Sequence, residues 1–214
     1  MLQQTQVERV IPFYRNFLKR FPTVKSLAEA PLPEVLRAWQ GLGYNRRAKM
    51  LHEAAKAIVV RHSARIPHGY AEVRNLPGVG EYTAKAVRTF AFNEPEVMIE
   101  TNIRAIFIHH FFGDKEGVSD AELFPLIEAT LDRKNPRVWY AALMDYGTHL
   151  KQTLPNPSRK SAHHLKQKPF KGSDREIRGA ILRAALNGEP ISKMPFDAKR
   201  VDTVRAALKK EGLI

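Results

Sequence analysis

The chain has 214 residues, 43% of them hydrophobic, enough to fill the core of one large domain or two small ones and too many for a disordered chain. Lys and Arg number 35 against 22 acidic residues, and this net charge of +13 is spread through helical segments, so a polyanion is the natural partner, although a generally basic soluble protein would carry the same balance. The absence of cysteine excludes disulfides, thiolate metal sites and cysteine nucleophiles; with no apolar run near the ~18 residues of a membrane span, a soluble cytoplasmic monomer is expected.

Apolar residues at Val7, Val10, Ile11, Phe13, Tyr14, Phe17 and Leu18 recur at helical spacing, and Phe21-Pro22 ends that segment. The chain runs into this helix from Met1 with no capping residue, as a helix entered midway in a longer natural protein would. Further helices are predicted near 24–30, 33–41, 45–61, 69–75, 81–92, 102–112, 120–131 and 136–151, separated by Pro, Gly or Asn. Ser119 with Glu122 three residues on is a capping-box signature. No stretch alternates with period two for long enough to build a sheet, so the fold class is all-α.

Residues 152–172 are polar, basic and poor in large aliphatics, and read as a linker or surface loop. Helical periodicity then returns, with Ile177, Ile181, Leu182, Ala185 and Leu186 on one face and Val201, Val204 and Leu208, followed by Gly212-Leu213-Ile214, on another. Two such helices resemble the helical part of a winged helix-turn-helix, whose wing would lie beyond Ile214; a plain helical hairpin packing on the main domain reads equally well. The expected division is a main domain at 1–151, a basic loop at 152–172 and a C-terminal helical module at 173–214.

The most specific local signal is Leu76-Pro77-Gly78-Val79-Gly80 between two helical patterns, followed by Tyr82-Thr83-Ala84. Such a turn presents backbone N–H groups at the start of the second helix, where the helix dipole adds to them and a DNA phosphate can be held without reading sequence. Gly78 and Gly80 would supply positive φ and close approach. The same segment would also serve as an ordinary tight turn.

Five motifs in order, Met1-Leu2-Gln3-Gln4-Thr5-Gln6-Val7, Gly41-Leu42-Gly43-Tyr44, Leu76 to Gly80, Glu100-Thr101-Asn102 and Met144-Asp145-Tyr146-Gly147, resemble helix-hairpin-helix DNA glycosylases of the HhH-GPD superfamily, in particular the MutY-type adenine glycosylases, across about residues 1–151. The resemblance implies a helix-hairpin-helix glycosylase fold with a small C-terminal extension and, as partner, double-stranded DNA bearing a mismatched or damaged base. It implies a monofunctional enzyme of base excision repair that removes adenine opposite G or 8-oxoguanine. Such an enzyme must unstack the nucleotide, protonate the leaving base and stabilise a cation-like sugar, work suited to carboxyl groups on opposite sides of the ring. By the resemblance Gln3 and Gln4 would wedge into the space left by the base and Tyr44 would insert beside it; a polar helix face and a half-buried tyrosine are the bland alternatives.

Glu100 stands where the family usually has an aspartate, with Asn102 matching its asparagine neighbour, and would steady the charge developing on the sugar. A carboxylate here could also be a helix cap, though Thr101 is available for that task. The family's general acid, a glutamate, lies just ahead of the first motif; either a longer natural chain supplies it or the polypeptide lacks its proton donor and binds DNA without catalysis. Tyr82 occupies the position at which lyase relatives such as endonuclease III carry a nucleophilic lysine, so strand cleavage is not expected, with Lys85 the sole nearby substitute. Tyrosine there also resembles thymine-removing mismatch enzymes, which makes thymine or uracil opposite G the alternative substrate.

Many relatives hold an iron–sulfur cluster on cysteines after the last motif; Lys151, Ser158, Ser161 and Gln167 stand at those places here, so no cofactor is expected. Lys151, Arg159, Lys160, His163, His164, Lys166 and Lys168 could instead hold that loop on phosphates, or remain solvated. His109-His110 and His163-His164 lack the spacing and acidic company of a metal site. Phe107, Phe111, Phe112, Trp139 and Tyr140 read as core. Lys19, Arg20, Arg46, Arg47 and Lys49 could touch the DNA backbone or be ordinary surface charges.

Overall fold

The computed structural model describes all residues except Gln4, Gln167, Lys168, Ser192 and Lys193. The described residues form eleven α-helices and one 3₁₀ turn, with no strand beyond an isolated bridge between Val118 and Ser161. The chain divides into two compact units, Met1–Pro67 with Leu76–Gly78 and Gln167–Ile214, and His68–Asn75 with Val79–Lys166.

The first unit holds α1 (Val7–Arg20), α2 (Val24–Glu29), α3 (Leu32–Trp39), α4 (Arg46–His62), α10 (Asp174–Asn187) and α11 (Ala198–Lys210). Thr23 and Ser26 start α2 with a reciprocal capping box. The core joins both ends of the sequence: Val10 and Phe17 of α1 and Val35, Leu36 and Trp39 of α3 pack in one cluster with Ile177, Ile181 and Leu182 of α10 and Val201, Val204 and Leu208 of α11. Composition sets residues 173–214 apart as a module, but their apolar faces are buried in this shared core. Phe17 meets Phe21 and Trp39 edge to face at 4.9 and 6.0 Å, a geometry aromatic rings favour. Polar ties add to the packing: Arg37 Nη2 donates to the Leu186 carbonyl at 2.9 Å, and Arg178 grips Glu211 with two bonds of 3.1 and 2.7 Å. Only part of the apolar period of α1 faces this core, since Val7, Ile11, Tyr14 and Leu18 are exposed.

The second unit holds α5 (Tyr70–Arg74), α6 (Glu81–Phe92), α7 (Thr101–Phe111), α8 (Asp120–Thr130), α9 (Pro136–Thr153) and the 3₁₀ turn Pro157–Lys160. α7 is its centre: Ile103, Ala105, Ile106, Phe107 and Ile108 are all buried, and a helix apolar on most of its faces belongs inside. α9 crosses it at Gly147, where an added Cβ would stand 2.6 Å from both the Cβ and the carbonyl oxygen of Asn102. Tyr140 of α9 is fully buried, donates from its hydroxyl to the Glu96 carbonyl at 2.8 Å and accepts from the Met98 N–H at 3.0 Å, fixing the non-helical run that leads to Glu100. Phe107 and Tyr140 are core as expected, whereas Phe111 is 54% exposed, because it follows the last buried turn of α7.

Part of the segment read as a basic loop is packed. Pro157, Ser158 and Ser161 are buried, the Val118 N–H donates to the Lys160 carbonyl at 3.0 Å, and the Ala162 N–H returns to the Val118 carbonyl at 2.9 Å. Lys160 Nζ donates to Asp114 at 3.0 Å and to the Gly113 carbonyl at 2.9 Å, so this lysine is used within the protein. No helix among the described residues is long and apolar enough to cross a membrane.

Candidate active site

α6, α7 and α9 of the second unit bring the chemistry-bearing residues together. α7 begins at Glu100, whose extended backbone makes it the N-cap, and its side chain satisfies two of the amides a helix start leaves unpaired. Oε1 accepts from the Asn102 N–H at 2.6 Å and the Ile103 N–H at 3.0 Å, while Oε2 lies 3.4 Å from the donating Asn102 Nδ2. The cap is therefore Glu100 itself and not Thr101, which is already the first residue of the helix.

Burial pushes the Glu100 carboxyl above the ordinary carboxylate range, against the opposing pull of the Ile103 and Asn102 amides and of the positive Lys151 and Arg104. Arg104, one turn along α7, is held by Asp120 of α8 through two bonds of 2.7 Å, so its charge stays near Glu100 while its donors are occupied elsewhere. Lys151 comes from the last turn of α9. Tyr82 of α6 is half-buried, and burial, followed by the charge of Glu100, pushes its phenol up to about 12, so it stays a neutral hydroxyl at physiological pH. The Asn102 amide oxygen is buried without a hydrogen-bond partner among the described residues, a cost when left unmet. Sequence reasoning named Glu100, Asn102 and Tyr82 but missed Arg104, although its i, i+4 spacing from Glu100 was a signal.

The glycine turn follows α5. Leu76 is buried, Pro77 and Val79 are half-buried, and Gly78 and Gly80 are exposed. Gly78 has φ +74°, and a Cβ there would stand 2.4 Å from the Cβ of Met50, so both reasons for glycine apply. Gly80 differs from expectation: its φ is −86° and no atom of the described residues lies within 4 Å of its missing Cβ, so no contact among them requires glycine there. It is the N-cap of α6 and no side chain caps that helix, which leaves the dipole's positive end to the backbone of Gly80, Glu81, Tyr82 and Thr83. Arg74 Nη1 braces the turn through the Val79 carbonyl at 2.7 Å. Lys85 is tied to Glu81 at 2.8 Å, which ill suits a nucleophile.

In the first unit, Gln3 is exposed, and Gln4 lies outside the described residues. Tyr44 is 38% exposed at the tip of the turn between α3 and α4 and adopts φ +48°, an uncommon conformation for a large residue. Arg46 is exposed, as a phosphate contact would need, and so is Lys19. Arg20 pairs with Glu34 at 3.1 Å, and Lys49 donates to the Glu211 carbonyl. Arg47 is turned inward: its Nη1 donates to the Gln3 carbonyl at 2.7 Å and its guanidinium carbon lies over the rings of Trp39 and Tyr44, 5.4 Å from each centroid.

The positions at which relatives hold an iron–sulfur cluster do not fit one. A cluster needs thiolates, and the sequence has no cysteine. Ser158 Oγ instead donates to Asn156 Oδ1 at 2.8 Å, Ser161 Oγ accepts from the His163 N–H at 3.1 Å, Lys151 faces Glu100, and Gln167 lies outside the described residues, as does Lys168. The histidine pairs are also engaged locally, His110 with the Tyr146 hydroxyl at 2.9 Å and His163 as acceptor of the Asp120 N–H at 3.4 Å.

A family model described as HhH-GPD superfamily base excision DNA repair protein matches residues 1–131. The chain is 41% identical over 111 residues to an adenine DNA glycosylase of Buchnera aphidicola subsp. Baizongia pistaciae, a match covering 52% of this chain and 32% of that protein. To the adenine DNA glycosylase of Mycolicibacterium smegmatis it is 33% identical over 217 residues, 92% of this chain and 73% of the other. The solved structure of a thermostable thymine-DNA glycosylase superposes with a TM-score of 0.59 at 25% identity, over 68% of this chain and 69% of that one.

Proposed function

Because the chain belongs to the HhH-GPD superfamily of base excision DNA repair proteins, we propose that it is an adenine DNA glycosylase acting on duplex DNA in which adenine is mispaired with G or 8-oxoguanine. The observation that carries this reading is the Glu100 carboxylate, held at the head of α7 beside Tyr82 and Asn102. When the bond between base and sugar breaks, the base leaves with the electron pair and a proton, and the sugar becomes an oxocarbenium ion. A carboxylate fixed by two backbone amides cannot swing away from that cation, and preorganised charge of this kind is usually a large part of catalysis. Water then adds to the sugar carbon and gives up a proton, leaving an abasic site. A general acid supplies the base's proton.

Tyr82 supports a glycosylase that does not cut the backbone, since a protonated phenol offers no amine for a Schiff base. The turn at Leu76–Gly80, Gln3, Tyr44 and Arg46 are the DNA-facing residues. One observation favours a second substrate: Tyr82 together with the likeness to a thymine-DNA glycosylase points to thymine opposite G.

The test is an excision assay on labelled duplexes bearing A opposite 8-oxoguanine, T opposite G or U opposite G, with alkali to reveal abasic sites, run on this chain and on one extended upstream by a glutamate-bearing turn. Cleavage of the first duplex is expected, rising sharply with the extension, and Glu100→Gln is expected to lower the single-turnover rate by at least about a hundredfold. Cleavage of the T duplex alone would transfer the assignment to thymine. Tight binding with no abasic site in any duplex would leave a non-catalytic DNA-binding protein.

A further inference from the structure

Arg47, on the first turn of α4, makes more contacts to functional segments than any helix-surface cation needs. Its Nη1 donates to the Gln3 carbonyl at 2.7 Å and the Met1 carbonyl at 3.3 Å, and its Nη2 reaches the Gly43 carbonyl at 3.5 Å. The guanidinium carbon lies 5.4 Å from the ring centroid of Trp39 and 5.4 Å from that of Tyr44. Trp39 in turn is buried and donates from Nε1 to the same Gly43 carbonyl at 3.1 Å. One planar cation thus joins the segment bearing Gln3, the turn bearing Tyr44 and the core beneath them.

That turn needs holding. Gly41 and Gly43 have φ +105° and +75°, and Tyr44 follows at +48°. A non-glycine residue in this region is strained and persists where its surroundings enforce it. The Arg47 N–H donates to the Tyr44 carbonyl at 2.8 Å, so backbone and side chain of Arg47 act on the same residue. Burial lowers the pKa of Arg47 from an ordinary value far above neutrality, which leaves it charged. Its Nε is buried with no hydrogen-bond partner among the described residues, beside the Trp39 and Tyr44 rings that the guanidinium carbon overlies.

We propose that Arg47 is a positioning residue that locks the Gln3 segment and the Tyr44 turn into one rigid wedge, set before the target base leaves the stack. It rests on the reading that Gln3 and Tyr44 enter the duplex. An extruded base leaves a gap whose filling offsets the lost stacking, and a filler already fixed in place gives up little entropy on insertion. Lysine cannot replace this group, because an ammonium does not stack between rings and donate in their plane at the same time.

Arg47→Met and the milder Arg47→Lys are compared with the parent chain by two measurements. The first is amide hydrogen exchange in the free protein. Both variants are expected to exchange about tenfold faster at residues 1–5 and 41–45 together, with the buried turns of α3, α10 and α11 unchanged. The second is the fluorescence of 2-aminopurine in place of the target adenine opposite 8-oxoguanine, which brightens on unstacking. The parent is expected to brighten it at saturation, and both variants to lose most of that signal. Unchanged exchange in Arg47→Lys, or loosening of one segment without the other, would overturn the proposal whatever the enzyme excises. Loosening of both with undiminished fluorescence would overturn the role in extrusion. A parent that neither brightens the probe nor excises any base would refute the functional reading and with it the wedge, while exchange would still report whether Arg47 ties the two segments.

Discussion

Glu100 carries two duties that pull against each other. As a cap it is best ionised, since its acceptors meet two backbone amides at the positive end of α7, yet burial raises its pKa above the ordinary 4.5. A carboxyl raised on folding is bound more tightly to its proton in the native state, so its contribution favours the fold at low pH and is lost as pH climbs through the unfolded value towards the folded one. Glu100→Gln keeps an acceptor for the amides without the charge. Thermal melts from pH 4 to 8 are expected to show the variant gaining on the parent as pH rises above about 4.5 and then holding a constant lead. A lead that shrinks with pH would mean that the amides, Arg104 and Lys151 outweigh burial. A residue that costs stability where it performs chemistry is a common exchange at active sites.

Among the elements, the crossing of α7 and α9 matters most to the site. Gly147 brings the helices so close that an added methyl group would meet the backbone of Asn102, which cannot yield as a flexible side chain can. Gly147→Ala is expected to lower stability by about 1–3 kcal/mol in urea unfolding. Because the strain falls on Asn102, beside Glu100, excision is expected to drop more than the melt alone would indicate, towards a hundredfold for a displacement of about 1 Å. A stable variant with full activity would sever the crossing from the site.

Most of these elements were legible beforehand. The observed α6, Glu81–Phe92, lies on its expected span, and the other expected helices between α2 and α9 fall within two residues of theirs, because Pro, Gly and Asn punctuate this chain densely. Periodicity shows that a helix has an apolar face and is silent on what covers it. So a C-terminal hairpin packing on the main domain was one of two readings left open, while its choice of α1 and α3 as the covered helices, and the exposure of Val7, Ile11, Tyr14 and Leu18, went unread. The same gap explains Arg47, a surface charge by composition whose partners are carbonyls and rings set by the fold, and Gly80, whose neighbours do not demand glycine.

At the scale of the molecule the net charge of +13 is the dominant electrostatic fact, although many cations are already paired, among them Arg20, Arg88, Arg104, Arg178 and Arg200. Exposed cations with no ion pair among the described residues, such as Arg46, are the ones left to displace counterions from DNA. Affinity for an undamaged duplex is expected to fall about fortyfold between 50 and 200 mM salt, the change for about three neutralised phosphates. Fluorescence anisotropy across that range measures the slope, and a flat line would remove DNA as the partner of the basic surface.

The shared core of the first unit also orders events during synthesis. α1 to α4 emerge from the ribosome well before Ile177, Val204 and Leu213, which complete their core. The intervening stretch from Val79 to Lys166 contains nearly everything its own unit requires, so it has the means to fold while the earlier helices wait with apolar flanks uncovered. The vulnerable interval for this protein is thus the time its leading helices spend without their closing pair, when a chaperone has most to shield.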